Sequence, residues 1–258
     1  MSLSDHLIRI QNPDLRILTI DIERLQGTAE LWDPGKQYVS WQSFVTPPRT
    51  IGVALKWLGE LPLWVDERRG REHMLRYTYE AMSRADVITT FNGARFDLPI
   101  LAADMAQIGL GKVRPFKHID LFQIARREFK LISRSLRYAL EFFGLDAKME
   151  TPPGLWKRCM EGDVEAWQIM GQYARQDVKS TEALLLFMRP WLPGTANLGL
   201  MMGLEDGCPN CGSEDLHRGE GDWAHTTQTE YGMSQCQNCG TWTRKNFIHR
   251  RTSVRVVR

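Results

Sequence analysis

In the run Arg16-Ile17-Leu18-Thr19-Ile20-Asp21-Ile22-Glu23 an otherwise apolar strand pattern carries two acids. Leu18, Ile20 and Ile22 alternate with Ile17, Thr19, Asp21 and Glu23, so a strand of period two puts both carboxylates on one face, two residues apart. Carboxylates that close repel each other, and a buried strand tolerates them only where protons or cations compensate. An all-oxygen donor set suits a hard divalent ion, Mg²⁺ or Mn²⁺, better than zinc. Asp-x-Glu alone also describes a strand end with hydrated acids, so its meaning depends on the rest of the chain.

The length of 258 residues, 43% of them hydrophobic, allows one substantial core and a small appendage. A formal net charge of +2 advertises no polyanionic partner, but the charge is unevenly spread. Lys112, Arg114, Lys117, Arg126, Arg127, Lys130, Arg134 and Arg137 meet only Asp120 and Glu128 between them, and no acid follows Glu230, whereas Arg244, Lys245, Arg250, Arg251, Arg255 and Arg258 do. Such patches are what a phosphate backbone would use, although solvated helix faces and tails can look the same. Met1 to Gln11 holds no apolar stretch of signal-peptide length, and no run approaches a membrane span. The expected location is therefore cytoplasmic.

Turn signals and periodicity divide the chain. A turn is expected at Trp32-Asp33-Pro34-Gly35-Lys36, between strands at about Thr28–Leu31 and Gln37–Phe44. Further strands are expected at Ile51–Leu58, Leu63–Val65, Ala85–Phe91 and around His118–Leu121. Helices are expected over Glu72–Arg84, from Pro99 to Gly109, from Ser135 to a stop at Gly144, and from Asp163 to Pro190. Hairpin-paired strands followed by strands interleaved with helices predict an α/β fold, a mixed sheet with flanking helices. The stretch from Pro193 to Gly207 reads as a linker. The expected division is a larger domain over 1–190, a linker over 191–207, and a small C-terminal domain with a basic tail over 208–258.

Further along, Phe91-Asn92-Gly93-Ala94-Arg95-Phe96-Asp97-Leu98-Pro99 delivers a turn at a strand end and an acid at a helix start. Asn92 suits such a turn, and Gly93 would permit a positive φ there. In Tyr173-Ala174-Arg175-Gln176-Asp177 the phenol and the carboxylate share a helical face. Asp21-x-Glu23, Asn92-x-x-x-Phe96-Asp97 and Tyr173-x-x-x-Asp177 resemble, in order and spacing, the three blocks of the DEDD superfamily of 3′-5′ exonucleases, in the subgroup with tyrosine in the third block. Ser135-Leu136-Arg137 is similar to a segment common there, and the resemblance covers about residues 14 to 190. It is nearest to small stand-alone members encoded by bacteriophages, for which the location would be the bacterial host cytoplasm.

The resemblance implies a ribonuclease-H-like fold and two-metal phosphodiester hydrolysis with two Mg²⁺ or Mn²⁺ ions. Asp21 would bridge both ions, Glu23 and Asp177 would complete the site that activates water, and Asp97 would help to hold the second ion. Tyr173 would orient the attacking water rather than deprotonate it, since a phenol with an ordinary pKa of about 10 is a poor base; the alternative is a core ring filling a helix-sheet gap. Asn92, Phe96, Arg126, Arg127 and Arg134 are candidate substrate contacts, with Phe96 either stacking on a terminal base or lying in the core. Asp120 either caps a turn or stands behind the metal ligands, the structural role being favoured. The expected substrate is single-stranded DNA or a frayed 3′ end, with RNA as the alternative. The expected partners are that strand and a polymerase or other replication protein. The rival from another class is a non-catalytic nucleic-acid or replisome adaptor.

Cys208-Pro209-Asn210-Cys211-Gly212 and Cys236-Gln237-Asn238-Cys239-Gly240 are two knuckles whose thiolates can converge on one ion, and they read as a structural Cys₄ zinc ribbon. A redox dithiol pair is the alternative. The long spacer between the knuckles implies a strand hairpin with an extended loop. Cys159 stands apart from both knuckles and reads as a packed thiol.

Overall fold

The computed structural model of the protein describes residues 15–31, 38–146, 150–194, 196–219 and 221–253. The expected turn at Trp32–Lys36, the amino-terminal stretch and the tail cations Arg255 and Arg258 lie outside these. The chain divides into two compact units, one spanning Arg16–Leu184 and one taking in the chain from Leu185 onward.

The first unit is built on a five-stranded sheet. In chain order the strands are β1 (Ile17–Leu25), a short pair β2 (Thr28–Ala29) and β3 (Phe44–Thr46), β4 (Arg49–Trp57), β5 (Leu63–Asp66), β6 (Val87–Thr90) and β7 (Lys117–Asp120). The main sheet has the order β5-β4-β1-β6-β7, with antiparallel pairing from β5 to β1 and parallel pairing from β1 to β7. Hairpins supply the antiparallel half. The parallel half needs crossover helices, and α1 (Arg71–Arg84) and α2 (Asp97–Gln107) supply them. This is the expected mixed sheet with flanking helices. The short helices α3 (Leu121–Glu128), α4 (Leu136–Phe142) and α5 (Leu155–Met160) follow, then the long α6 (Val164–Phe187).

The alternation in β1 does what its pattern predicts. Leu18, Ile20 and Ile22 bury themselves with Val53 and Leu55 of β4, Met74, Leu75 and Met82 of α1, and Leu101 and Met105 of α2. Each such fully buried side chain stabilises the fold by about 1.5–3 kcal/mol. The opposite face meets α6, where Leu25 and Ile51 pack with Trp167, Met170 and Tyr173, and Ala54 packs with Ala174 and Val178. Asp21 and Glu23 belong to this second face. Cys159 lies in the same cluster, 3% exposed, and burial pushes its thiol up to about 11. It is a packed thiol.

Two differences from the expected elements have local causes. Of the strand expected over Gln37–Phe44, Gln37 lies outside the described residues and only Phe44 is strand, because the Ser40 hydroxyl accepts the Gln42 N–H and starts a 3₁₀ turn at Trp41–Ser43 before β3 begins. The segment after Pro193 is not an extended connection. Ala196 and Leu198 are buried, a short helix α7 (Leu198–Met201) forms with Asn197 as its cap, and the Leu198 N–H donates to the Pro209 carbonyl at 2.6 Å.

In the second unit β10 (Thr229–Cys236) is the organising strand. It pairs antiparallel with β8 (Leu216–His217), β9 (Trp223–His225), β11 (Trp242–Arg244) and β12 (Arg250–Arg251). No helix among the described residues is long and apolar enough to cross a membrane.

Candidate functional site

The acids gather where β1 outruns its neighbour. Parallel pairing with β6 ends at Thr19 opposite Thr89, so the end of β1 carrying Asp21 and Glu23 has no strand on that side. On the other side a bulge interrupts the ladder directly after Glu23, which pairs with Gly52 while Arg24 pairs with Thr50. Asp177 reaches the same place from α6, and one carboxylate oxygen from each of Asp21, Glu23 and Asp177 lies within 4.8 Å of the others. Glu23 and Asp177 are 7% and 4% exposed, so their charges are poorly hydrated. Three crowded carboxylates with oxygen donors only form a set that fits a hard divalent cation.

Tyr173 stands one turn before Asp177 on α6. Its ring packs edge-on against Trp156 and belongs to the core cluster, while its hydroxyl shares a hydrogen bond with Asp177. Burial, with the nearby charges of Asp177, Glu23 and Asp21, pushes its pKa well above the usual tyrosine range. The group is therefore a phenol that donates, with its ring in the core and its hydroxyl at the acids.

Asp97 is the first residue of α2 and 3% exposed, and it stands outside the group of three. Its Oδ1 accepts the Ile22 N–H at 3.1 Å, taking the place that a β6 residue would have filled. It thereby fixes the backbone between Asp21 and Glu23. Burial, and the charge of Asp120, push its carboxyl up to about 6.

Asp120 caps α3 by accepting the Phe122 N–H, and it also accepts the N–H groups of Asn92 and Ala94 at 2.9 and 3.1 Å. Its role is to hold the turn ahead of Asp97. Within that turn the positive φ falls on Asn92, at 69°, and not on Gly93, which would also permit it. Asn tolerates this region, and its N–H is held there by Asp120. Gly93 is required for a different reason, since a Cβ would stand 2.4 Å from the Thr90 hydroxyl that accepts its own N–H.

Of the expected substrate contacts, Phe96 is 46% exposed beside Asp97, which removes it from the core. Asn92, Arg126 and Arg127 line one cleft of about 320 Å³ together with Arg95, Phe122 and Gln123. Arg126 and Arg127 also line a second cleft of about 390 Å³, with Phe91, Phe122, Phe129 and Arg134. Arg126 stands 5.7 Å from the Phe122 ring centre, and Arg127 is ion-paired to Glu128. Sequence reasoning missed Arg95 and the helix α3, which aims Arg126 and Arg127. Arg95 lay within the block Asn92–Asp97, and the cap at Asp120 was the available signal for α3.

The four cysteines of the second unit converge, their sulfurs all within 4.8 Å of one another and two pairs in contact at 3.6 Å. Contacts from Cys208 and Cys211 pull the Cys239 thiol down, whereas Cys208 is pushed up by sharing hydrogen bonds with Cys211 and Cys239. Asn210, 1% exposed, ties its knuckle to the chain by donating to the Arg189 and Leu192 carbonyls and to the Thr241 hydroxyl. A closed set of four thiols fits a zinc ribbon. His217 and His225 stand outside the set, and His225 pairs with Glu230 at 3.0 Å.

Among curated proteins none matches the chain. It is similar to a solved structure of the family B DNA polymerase from the hyperthermophilic archaeon Pyrobaculum calidifontis, with 18% identity and a TM-score of 0.49 over 85% of this chain. The chain spans about a third (33%) of that polymerase. A model of the family RNase_H_2, within the RNase_H superfamily, matches residues 59–188. That match takes in Asp97, Tyr173 and Asp177, and the sheet supplies Asp21 and Glu23 from β1, upstream of it. With half of its length matched, and with a mixed sheet that brings acids together at a strand end, the chain belongs to the RNase H superfamily.

Proposed function

We propose that the protein is a metal-dependent 3′-5′ exonuclease that hydrolyses single-stranded DNA or frayed 3′ ends to nucleoside monophosphates. The observation that carries this reading is the convergence of Asp21, Glu23 and Asp177 to within 4.8 Å, with the Tyr173 hydroxyl on Asp177. Divalent ions held by these acids, with Asp97 beside them, would supply Lewis-acid stabilisation of the charge that builds on the attacked phosphate. The chain's own groups then have separate tasks. Tyr173, kept protonated, orients a water for attack by hydrogen bonding. Asp97 holds the strand between Asp21 and Glu23 at fixed spacing. Phe96 offers a ring to a splayed terminal base, and Arg126, Arg127 and Arg134 bind the phosphates upstream, with Asn92 lining the cleft that it shares with Arg126 and Arg127. A zinc held by Cys208, Cys211, Cys236 and Cys239 would be structural and take no part in the chemistry.

The test is a time course on 5′-labelled single-stranded DNA with Mg²⁺ or Mn²⁺, beside a matched RNA. A ladder shortening from the 3′ end, absent for Asp21→Ala, is expected. No shortening of either strand by folded protein would refute the reading, and faster shortening of the RNA would replace the substrate.

A further inference from the structure

The sheet of the second unit has one filled face and one open face. Along β10 Gly232, Ser234 and Cys236 are buried on the face that holds the cysteine cluster, while Tyr231, Met233 and Gln235 are only half-buried on the other. Residues opposite each other across a ladder share a face, so the open side also receives Trp242 opposite Gln235, Arg244 opposite Met233, and Arg251 opposite Thr229. Trp242 is 51% exposed, and the Arg244 guanidinium lies 4.6 Å from the centre of the Tyr231 ring. The acid of β10 is on the far side. Glu230 is approached there by His225 at 3.0 Å, Arg250 at 3.6 Å and His249 at 3.8 Å. Among the described strand residues the open face therefore carries cations and aromatic rings and no acid.

We propose that this face binds single-stranded nucleic acid, with phosphates on Arg244 and Arg251 and an unpaired base stacked on Trp242, the Tyr231 ring holding the Arg244 guanidinium in place. Cations alone would accept any polyanion. The addition of a half-open indole selects a polyanion with exposed ring faces, which a duplex lacks and a single strand offers. The choice of ligand rests on the nuclease reading; the segregation of charge on the sheet does not.

The test uses the full chain carrying Asp21→Asn, so that the strand stays intact, and fluorescence anisotropy with labelled oligothymidylate and oligouridylate. Trp242→Ala and Arg244→Gln are each expected to weaken binding about tenfold on whichever strand binds tighter. Arg251→Ala is expected to lower the slope of log affinity against log salt by about 0.7, the share of one phosphate contact. Arg250→Ala removes the same charge from the other face, and its affinity should stay within about twofold of the parent. All four positions are exposed or ion-paired at the surface, and circular dichroism with bound-metal content establishes that each variant is folded.

Parent-like affinity for folded Trp242→Ala and Arg244→Gln would overturn the proposal. So would equal displacement of the strand by duplex or by polyglutamate, which would make the face an acidic-partner surface. Binding through the face by a chain whose Asp21 parent never cleaves would sink the exonuclease reading alone.

Discussion

At the scale of the residue, the informative group is Asp97. Its carboxyl is raised from 3.8 to about 6, first by burial and then by the charge of Asp120. A folded-state pKa above the unfolded one means that folding takes up a proton between the two values. The Asp97 contribution to stability is thus greatest at acid pH and is lost as the pH rises through about 6. Asp97→Asn keeps an oxygen for the Ile22 N–H and removes the charge. Without added divalent ions it should unfold at a higher temperature than the parent near neutral pH, by an equivalent of about 1–3 kcal/mol, with the two curves meeting near pH 4. Scanning fluorimetry across pH measures this, and a variant no more stable than the parent at neutral pH would mean that the carboxyl is not strained there. The position of Asp97 was legible in the sequence because an acid beside Pro99 at a helix start is a local pattern. The left-handed residue was not, since Asn-Gly permits positive φ at either position and only the Asp120 carboxylate, 28 residues away, decides for Asn92.

Among the elements, α6 decides whether the site exists, because its seating on the sheet sets where Asp177 meets Asp21. That seating depends on Trp64. Its indole lies over Gly52 of β4 and against Gly171 of α6, where an added Cβ would stand 1.9 Å and 2.9 Å from the ring, and its Nε1–H donates to Asp66. Gly52→Ala is expected to destabilise the protein by about 3 kcal/mol, as overpacking beside a ring that cannot swing away, and to lower cleavage beyond the folded fraction. Denaturant titration with activity on the same sample tests this; a stability change under half that size would show that the indole relocates freely. A second tie is the buried pair between Lys56 of β4 and Glu182 of α6, at 2.6 Å. Lys56→Met alone leaves a charge buried among apolar atoms and should cost about 3–5 kcal/mol, whereas Lys56→Met with Glu182→Leu should recover most of it. If the double variant is as unstable as the single, the pair contributes something other than mutual neutralisation. The helix itself was legible, from Asp163 to Phe187, because its apolar period is long. The ties were not: Lys56 and Glu182 are 126 residues apart and neither announces the other. Helix α3 escaped because Leu121, Ile124 and Ala125 give too few turns for a period to show.

For the whole molecule the sequence was most explicit about its two metal-ready clusters, and the structure brings together the four cysteines and three of the four acids, Asp97 standing outside. Cys-x-x-Cys pairs and Asp-x-Glu are short-range patterns, so each survives reading without coordinates. The arrangement between the knuckles did not, because one strand pairing with four others depends on long-range register. If the cysteine cluster organises its unit, Cys236→Ser should make residues 208–253 susceptible to proteolysis while the unfolding transition of the first unit stays in place. Limited proteolysis with mass spectrometry measures this, and an unchanged cleavage pattern would show that the sheet stands without its metal. The acid cluster has a consequence of another kind. Asp21 and Glu23 lie in the first strand of their unit, and Asp177 lies 156 residues later in its last long helix. Contacts so distant along the chain close after the local ones. On the ribosome β1 emerges long before α6 has been made, so a growing chain carries half of a site beside the messenger that encodes it. The proposed hydrolysis is withheld by topology until translation of the unit is finished.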